Sequence, residues 1–444
     1  MTFTSSVPDP FLRGVALPAP ATLGSWTAEA RARTLELIED LDDEQLLGAR
    51  LDTVNPLLWE IGHVAWFQER WVLRQALARP PLSDRFDALY DSSAIAHDTR
   101  WDLPLPGRAE TLDYLARVRD AVLEALAADP GPEVVYHALY SIYHEDMHGE
   151  AFTYTRQTHG FRAPPANSHG DEAGPAPAVA APDDDASIPG GELLLGASPA
   201  EPFVFDNEKW EHPVAVAPFR MARRPVTQRE LCDFVEDGGY LRHALWSEEG
   251  WAWREREGAV GPLYWRRGAD GWERRDFDRW VPLEPDLPAV HVGWYESDAF
   301  CRWAGRRLPT EAEWEAAATA GTDPGSGRKR RYPWGDQPAS PERANLDAAH
   351  LGRLPAGALA AGESRHGVRG LLGDVWEWTA DDFGPFPGFV RDPYADYSFP
   401  AFTGHKSLRG GAWPTRGRLI RNGYRNYYPP HRRDVWAGFR TCAL

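Results

Sequence analysis

Cysteine is nearly absent: Cys232, Cys301 and Cys442 are the only three in 444 residues, far apart and odd in number. This excludes a disulfide framework and a Cys-x-x-Cys metal site, and it points to a reducing compartment. Basic charge is also scarce, with 48 Lys and Arg against 66 Asp and Glu for a net charge of −18. Nucleic acid and anionic membrane, which require clustered cations, are therefore not expected as partners. No run of about eighteen apolar residues occurs, and no basic segment followed by an apolar stretch opens the chain. The expectation is a soluble, cytoplasmic protein. What the chain has in excess is tryptophan, twenty residues, alongside 40 Gly and 39 Pro. Buried indoles need packing and an N–H acceptor, so part of the molecule should be Trp-rich and loop-rich.

The length exceeds what one core supports, so two domains are expected. Composition shifts sharply across residues 164–187 (PPANSHGDEAGPAPAVAAPDDDAS), a Pro, Ala and acid stretch without Lys, Arg or aromatic residues. It reads as a disordered acidic linker between residues 1–163 and 188–444. The first part carries helical periodicity. Leu112, Leu115, Val118, Val122 and Leu126 form one stripe, Leu37, Ile38 and Leu41 a shorter one. A helix should start at Pro56 before Trp59, and another should span Glu133 to Gln157. Four such helices suit an antiparallel bundle. Residues 80–106 carry no clear periodicity. In the second part Gly and Pro interrupt short aromatic runs, and helices are expected only near Gln228–Val235 and Glu311–Ala318. Thr310 and Glu313 there form a capping-box pair. The expected fold class is α + (α+β), a helical bundle followed by an irregular α+β domain.

Three of fourteen histidines differ from the rest. His144 and His148 stand four apart on one predicted helix face, so both can reach one ion, and His63 lies on a second bundle helix. Three imidazoles suit Zn, Cu, Fe or Ni alike. The stretch His144–His148 also fits H-E-x-x-H, with Glu145 as the base of a zinc metalloprotease. The longer protease signature fails, since Tyr154 occupies the place of its third His. A non-catalytic metal-binding module is a further alternative, although the calcium carboxylate clusters of sugar-binding lectins are not evident.

With these residues in place, the chain resembles a known family along nearly its whole length. GHVAWF with His63 and HEDMH with His144 and His148 resemble the iron-binding segments of a DinB-like four-helix bundle. RRPVTQRELCDFVEDGGY, WAGRRLPTEAEWEAAA, YPWGD, GDVWEWT, LRGGAW and AGFR resemble a formylglycine-generating-enzyme-type domain (sulfatase-modifying-factor-like) of C-type-lectin topology. The pair is similar to the ergothioneine-type sulfoxide synthases (EgtB-like) and the related selenoneine synthases (SenA-like). The resemblance implies Fe(II) held by His63, His144 and His148. It also implies dioxygen and hercynine (trimethylhistidine) as substrates, and a thiol or selenol that becomes bonded to the imidazole. Formylglycine-generating enzyme itself is not implied, because its C-terminal cysteine pair is missing here.

The departures bear on the substrates. Asn426 and Arg432 match family positions near the betaine, while Tyr428 replaces an acid. The rings of Tyr427 and Tyr428 suit a trimethylammonium through cation–π attraction. Family members that use γ-glutamylcysteine carry an arginine-rich segment, whose forked guanidinium groups suit carboxylates. AHDTRWDLPLPGR offers Arg100 and Arg108 instead, with Trp101 as a face for a sugar. A selenosugar donor, giving selenoneine, is therefore expected over γ-glutamylcysteine or cysteine. Tyr394 and Tyr397 match the region that supplies the family's catalytic tyrosine.

Overall fold

A computed structural model describes residues 17–165, 184–321, 329–394 and 397–444. It divides into two compact units. The first comprises residues up to Pro165 together with Pro199–Val204, and the second comprises the remainder. No helix among the described residues is long and apolar enough to cross a membrane.

The first unit contains α1 (Pro20–Glu36), α2 (Asp43–Leu47), α3 (Leu57–Gln68), α4 (Asp87–Tyr90), α5 (Arg108–Ala127) and α6 (Pro132–His159). Both α1 and α3 pack against α5 and α6, giving the expected four-helix core. Ile61, Ala65, Phe67, Val118, Val122, Leu139 and Ile142 fill it. Pro56 precedes α3 at its N-cap, and α6 begins with Pro132 in its first turn, where a missing N–H costs nothing. A π-helical stretch, Glu69–Ala76, continues α3 directly. The stripe Leu37, Ile38 and Leu41 is buried but not helical, because α1 ends at Glu36. The carbonyls of that turn accept from arginines instead: Ile38, Glu39 and Leu41 from Arg108, and Leu37 from Arg156. Residues 80–106 hold α4 and a 3₁₀ turn, His97–Thr99. Phe203 packs among Tyr136, Tyr140 and Tyr143 of α6.

In the second unit β1 (Asp185–Ile188), β4 (Phe219–Ala222), β13 (Cys442–Ala443) and β8 (Arg306–Arg307) form one sheet in that order. A second sheet runs β11 (Arg425–Tyr428), β10 (Lys406–Arg409), β9 (Trp376–Asp382) and β12 (Ala437–Gly438). β2 (Gly191–Leu195) pairs with β3 (His212–Val216), and β5 (Trp265–Arg267), β6 (Trp272–Asp276) and β7 (Arg279–Pro282) form a meander. β1 thus begins inside the stretch read as linker, while residues 166–183 lie outside the described residues. The expected helices are α7 (Gln228–Glu236) and α10 (Glu311–Thr319), the latter with the Thr310–Glu313 capping box. Two more, α8 (Glu248–Glu257) and α9 (Trp294–Trp303), were not expected. α8 buries only Gly250 and Trp253, too little to leave an apolar stripe in the sequence.

The recurring motifs of this unit meet as buried ion pairs. Arg425 forks onto Glu311 at 2.9 and 2.8 Å, and Arg409 bonds both Glu311 and Glu315. Arg440 forks onto Glu377 at 2.6 Å twice, and Trp314 Nε1 donates to the same carboxylate at 2.7 Å. These strings therefore maintain the fold, and Trp314 and Trp378 each find the acceptor that a buried indole requires. Removing one partner strands a buried charge, whereas removing both does not. Arg440→Met should cost about 3–5 kcal/mol in urea unfolding, and Arg440→Met with Glu377→Gln, which keeps an acceptor for Trp314 Nε1, should recover part of it. A loss below about 1 kcal/mol in the single variant, the scale of an exposed pair, would refute the structural role.

Candidate metal centre

The positioning of His63 follows from the sequence of α3. Trp59, His63 and Trp66 share one face and each donates to α4: Trp59 Nε1 to the Leu89 carbonyl at 2.6 Å, His63 Nδ1 to the Tyr90 carbonyl at 2.8 Å, and Trp66 Nε1 to Asp87 at 2.7 Å. Gly62 makes this approach possible. A Cβ there would lie 2.3 Å from the Tyr90 ring, which is fully buried and has no room to withdraw. With Nδ1 donating to a carbonyl, the Nε2 lone pair of His63 is left for a ligand.

His144 and His148 rise from α6 with their Nε2 atoms 3.3 Å apart, the spacing of two nitrogens that each sit about 2.1 Å from one ion. The ligand atoms of His63, His144 and His148 all lie within 4.8 Å of one another, and no other such group of His, Cys, Asp or Glu is found among the described residues. His148 Nδ1 donates to Glu60 Oε1 at 2.7 Å. Trp59 stacks on His63 with ring centroids 4.8 Å apart, and Phe67 on His144 at 3.7 Å. Burial holds the His63 and His144 imidazoles well below their usual pKa, with the neighbouring His148 adding to the effect. Both are therefore neutral lone-pair donors at pH 7, the form that a metal requires. The donor set fits a divalent ion of the imidazole-preferring class.

Glu145, the base of the alternative protease reading, is not presented to this centre. Its carboxylate accepts from Arg31 at 2.7 and 3.1 Å and from Thr34 at 2.9 Å, all on α1. With both oxygens engaged by a buried guanidinium, it cannot take a proton from a metal-bound water. Glu60 was missed in the sequence. Its signal was a single acid within the apolar run LLWEIGHVAWF, three residues before His63, where only a partnered carboxylate is tolerated.

The other predicted site residues fall in several places. Arg100 is buried with its guanidinium 4.0 Å over the Trp59 ring, donating to Asn55 Oδ1 at 2.6 Å and to the Ile95 carbonyl. Trp101 is half-buried and donates to the Gly48 carbonyl at 3.2 Å. In the second unit, Asn426, Tyr427 and Tyr428 lie on β11, where successive side chains alternate between faces. Tyr427 and Tyr428 therefore point to opposite sides and cannot together face one ligand. Tyr427 stacks on Phe383 at 4.1 Å and donates its hydroxyl to the Tyr397 carbonyl, and burial raises its pKa. Tyr428 shares the Asn426 face and stands 5.1 Å from the Arg432 guanidinium, which itself forks onto Asp434 at 2.7 Å twice. Tyr397 stacks on Phe205 at 4.8 Å, and Tyr394 lies close enough to Tyr427 to interact with it electrostatically.

Residues 27–151 match the DinB superfamily and residues 171–443 the sulfatase-modifying factor enzyme 1-like domain. Over 432 residues the chain is 39% identical to the hercynine oxygenase of Mycobacterium tuberculosis, covering 96% of this chain and 99% of that protein. The chain belongs to the hercynine oxygenase family. A second member, from Mycolicibacterium thermoresistibile, is 38% identical over 441 residues, 97% of this chain and 96% of its own. The formylglycine-generating enzyme of Streptomyces coelicolor is 31% identical over 301 residues, 60% of this chain and 88% of that enzyme.

In this member of the hercynine oxygenase family, a metal held by the three histidines would add to folding free energy, because the unfolded chain has no preformed site. His63→Ala should abolish stoichiometric metal uptake and remove the rise in Tm that added metal produces. Unchanged stoichiometry and affinity in that variant would rule out the three-histidine centre.

Proposed function

We propose that the protein is an Fe(II)- and O2-dependent enzyme that joins hercynine to a chalcogen donor, with a selenosugar as donor and a carbon–selenium bond as product. The observation that carries the reading is the convergence of His63, His144 and His148 in a chain related over 96% of its length to a hercynine oxygenase. Bound iron would supply dioxygen activation and open positions for the two substrates. The protein's own residues do the rest. His63, His144 and His148 offer ring nitrogens, the Tyr90 carbonyl and Glu60 fix ring orientation, and the Trp59 and Phe67 rings keep water from two of the three imidazoles. Tyr394 and Tyr397 are proposed as the source of the proton consumed when oxygen is reduced. Asn426 and Tyr428 are proposed as contacts for the betaine, Tyr428 through cation–π attraction to the trimethylammonium, with Arg432, held on Asp434, standing beside Tyr428.

The donor assignment rests on how the arginines are spent. A thiol peptide such as γ-glutamylcysteine brings carboxylates, and bidentate guanidinium contacts are the strong way to hold them. Arg100 is occupied by Asn55, the Ile95 carbonyl and the Trp59 face, and Arg108 by three backbone carbonyls. Neither presents a free fork to a carboxylate. A sugar loses nothing by this and can use the aromatic face of Trp101.

Iron-loaded protein given hercynine, oxygen and equal selenosugar and γ-glutamylcysteine should yield mainly the selenium product by mass spectrometry. A dominant hercynyl-γ-glutamylcysteine sulfoxide would return the protein to ergothioneine-type sulfoxide synthesis. No product from either donor, nor from cysteine supplied in their place, would remove hercynine chemistry altogether. Because Tyr427 is packed and Tyr428 is on the other face, Tyr428→Leu should raise the hercynine Kd by a few-fold to roughly thirty-fold. Tyr427→Leu should instead act mainly on stability. Equal weakening of histidine and hercynine by Tyr428→Leu would show that no cation–π contact exists.

A further inference from the structure

The three imidazoles are not held alike, and the difference centres on Glu60. His63 is oriented by a neutral acceptor, the Tyr90 carbonyl. His148 is oriented by a carboxylate that is itself only 2% exposed. That carboxylate has one oxygen on His148 Nδ1 at 2.7 Å, while its other oxygen, Oε2, is buried with no hydrogen-bond partner among the described residues. A buried carboxylate with a single partner costs stability unless a positive charge lies close by. The contrast with Glu145 is instructive. That acid, one residue from His144 on the same helix, has both oxygens satisfied by Arg31 and Thr34 and is fully accounted for by folding. Glu60 is not.

We propose that Glu60 is a positioning residue for the metal, acting through His148. Its charge makes His148 the most electron-rich of the three ligands and offsets part of the dication's charge, so that metal affinity is concentrated in the Glu60–His148 pair. The metal repays the cost of burying the acid. Carboxylates that orient ligating histidines change affinity by about 10–100-fold when removed. This inference rests on the three-histidine reading above and adds to it an acid that is not itself a ligand.

Loss of the Glu60 charge should therefore weaken the metal complex without destabilising the apoprotein. Glu60→Gln keeps an oxygen to accept from His148 Nδ1 but removes the charge. The Tm of metal-free Glu60→Gln should stay level or rise, while its Kd for Co(II), measured anaerobically by titration calorimetry, should weaken about 10–100-fold. The visible absorption bands of bound Co(II) should shift, since one ligand has become a weaker donor. Glu60→Ala should weaken binding further, because the orienting bond is also lost. If Glu60→Gln binds Co(II) as the parent protein does, with unshifted bands, the proposal is overturned. A fall in apoprotein Tm with unchanged affinity would likewise overturn it and make Glu60 a folding residue. If the parent protein itself takes up no Co(II), the underlying three-histidine reading fails instead, a result separable from failure of the Glu60 proposal alone.

Discussion

The structure depends on one constraint: three imidazoles must be held with their ligand atoms turned toward one another inside a helical bundle. Left alone, they would rotate, protonate or bond one another. The protein prevents rotation with acceptors on Nδ1, the Tyr90 carbonyl for His63 and Glu60 for His148. It prevents protonation by burying His63 and His144 among Trp59, Phe67 and the helix cores. Much of the first unit can be read as serving those two demands. The short helix α4 exists as a row of acceptors for α3, and Gly62 is the clearance that lets Tyr90 reach it.

Several buried charges are handled in the same way in both units. In the second unit, several buried arginines and glutamates form forked pairs, as Arg425 with Glu311 and Arg440 with Glu377. In the first, Arg31 neutralises Glu145 in the same way. Paired charges of this kind specify a fold and leave no reactive group behind. Glu60 differs from these pairs, with one oxygen buried and unpartnered beside the imidazoles. An incompletely satisfied buried acid next to three convergent histidines marks where the protein has kept electrostatic capacity for something it binds.

The helices α3, α5, α6, α7 and α10 were legible in the sequence because their apolar spacing, prolines and capping boxes are local signals. The three histidines were legible because two share a helix face and the third lies in an unusually apolar, aromatic run. What escaped is non-local. Leu37, Ile38 and Leu41 mimic a helix stripe but sit in a turn that Arg108 and Arg156 hold from 67 to 119 residues away in sequence. The H-E-x-x-H string placed Glu145 next to the ligands in sequence, yet Arg31, 114 residues away, takes it from the site. Strand alternation separates Tyr427 from Tyr428, a consequence of β11 that adjacency in sequence hides. The acid that does reach a ligand, Glu60, belongs to the other helix.

The central claim is that His63, His144 and His148 bind one iron and leave room for the substrate imidazole. X-ray absorption of the Fe(II)-loaded protein, before and after anaerobic addition of hercynine, tests this most directly. The account predicts three imidazoles per iron without hercynine and four with it. Fewer than three imidazoles in the absence of substrate, or a count that hercynine does not change, would contradict it.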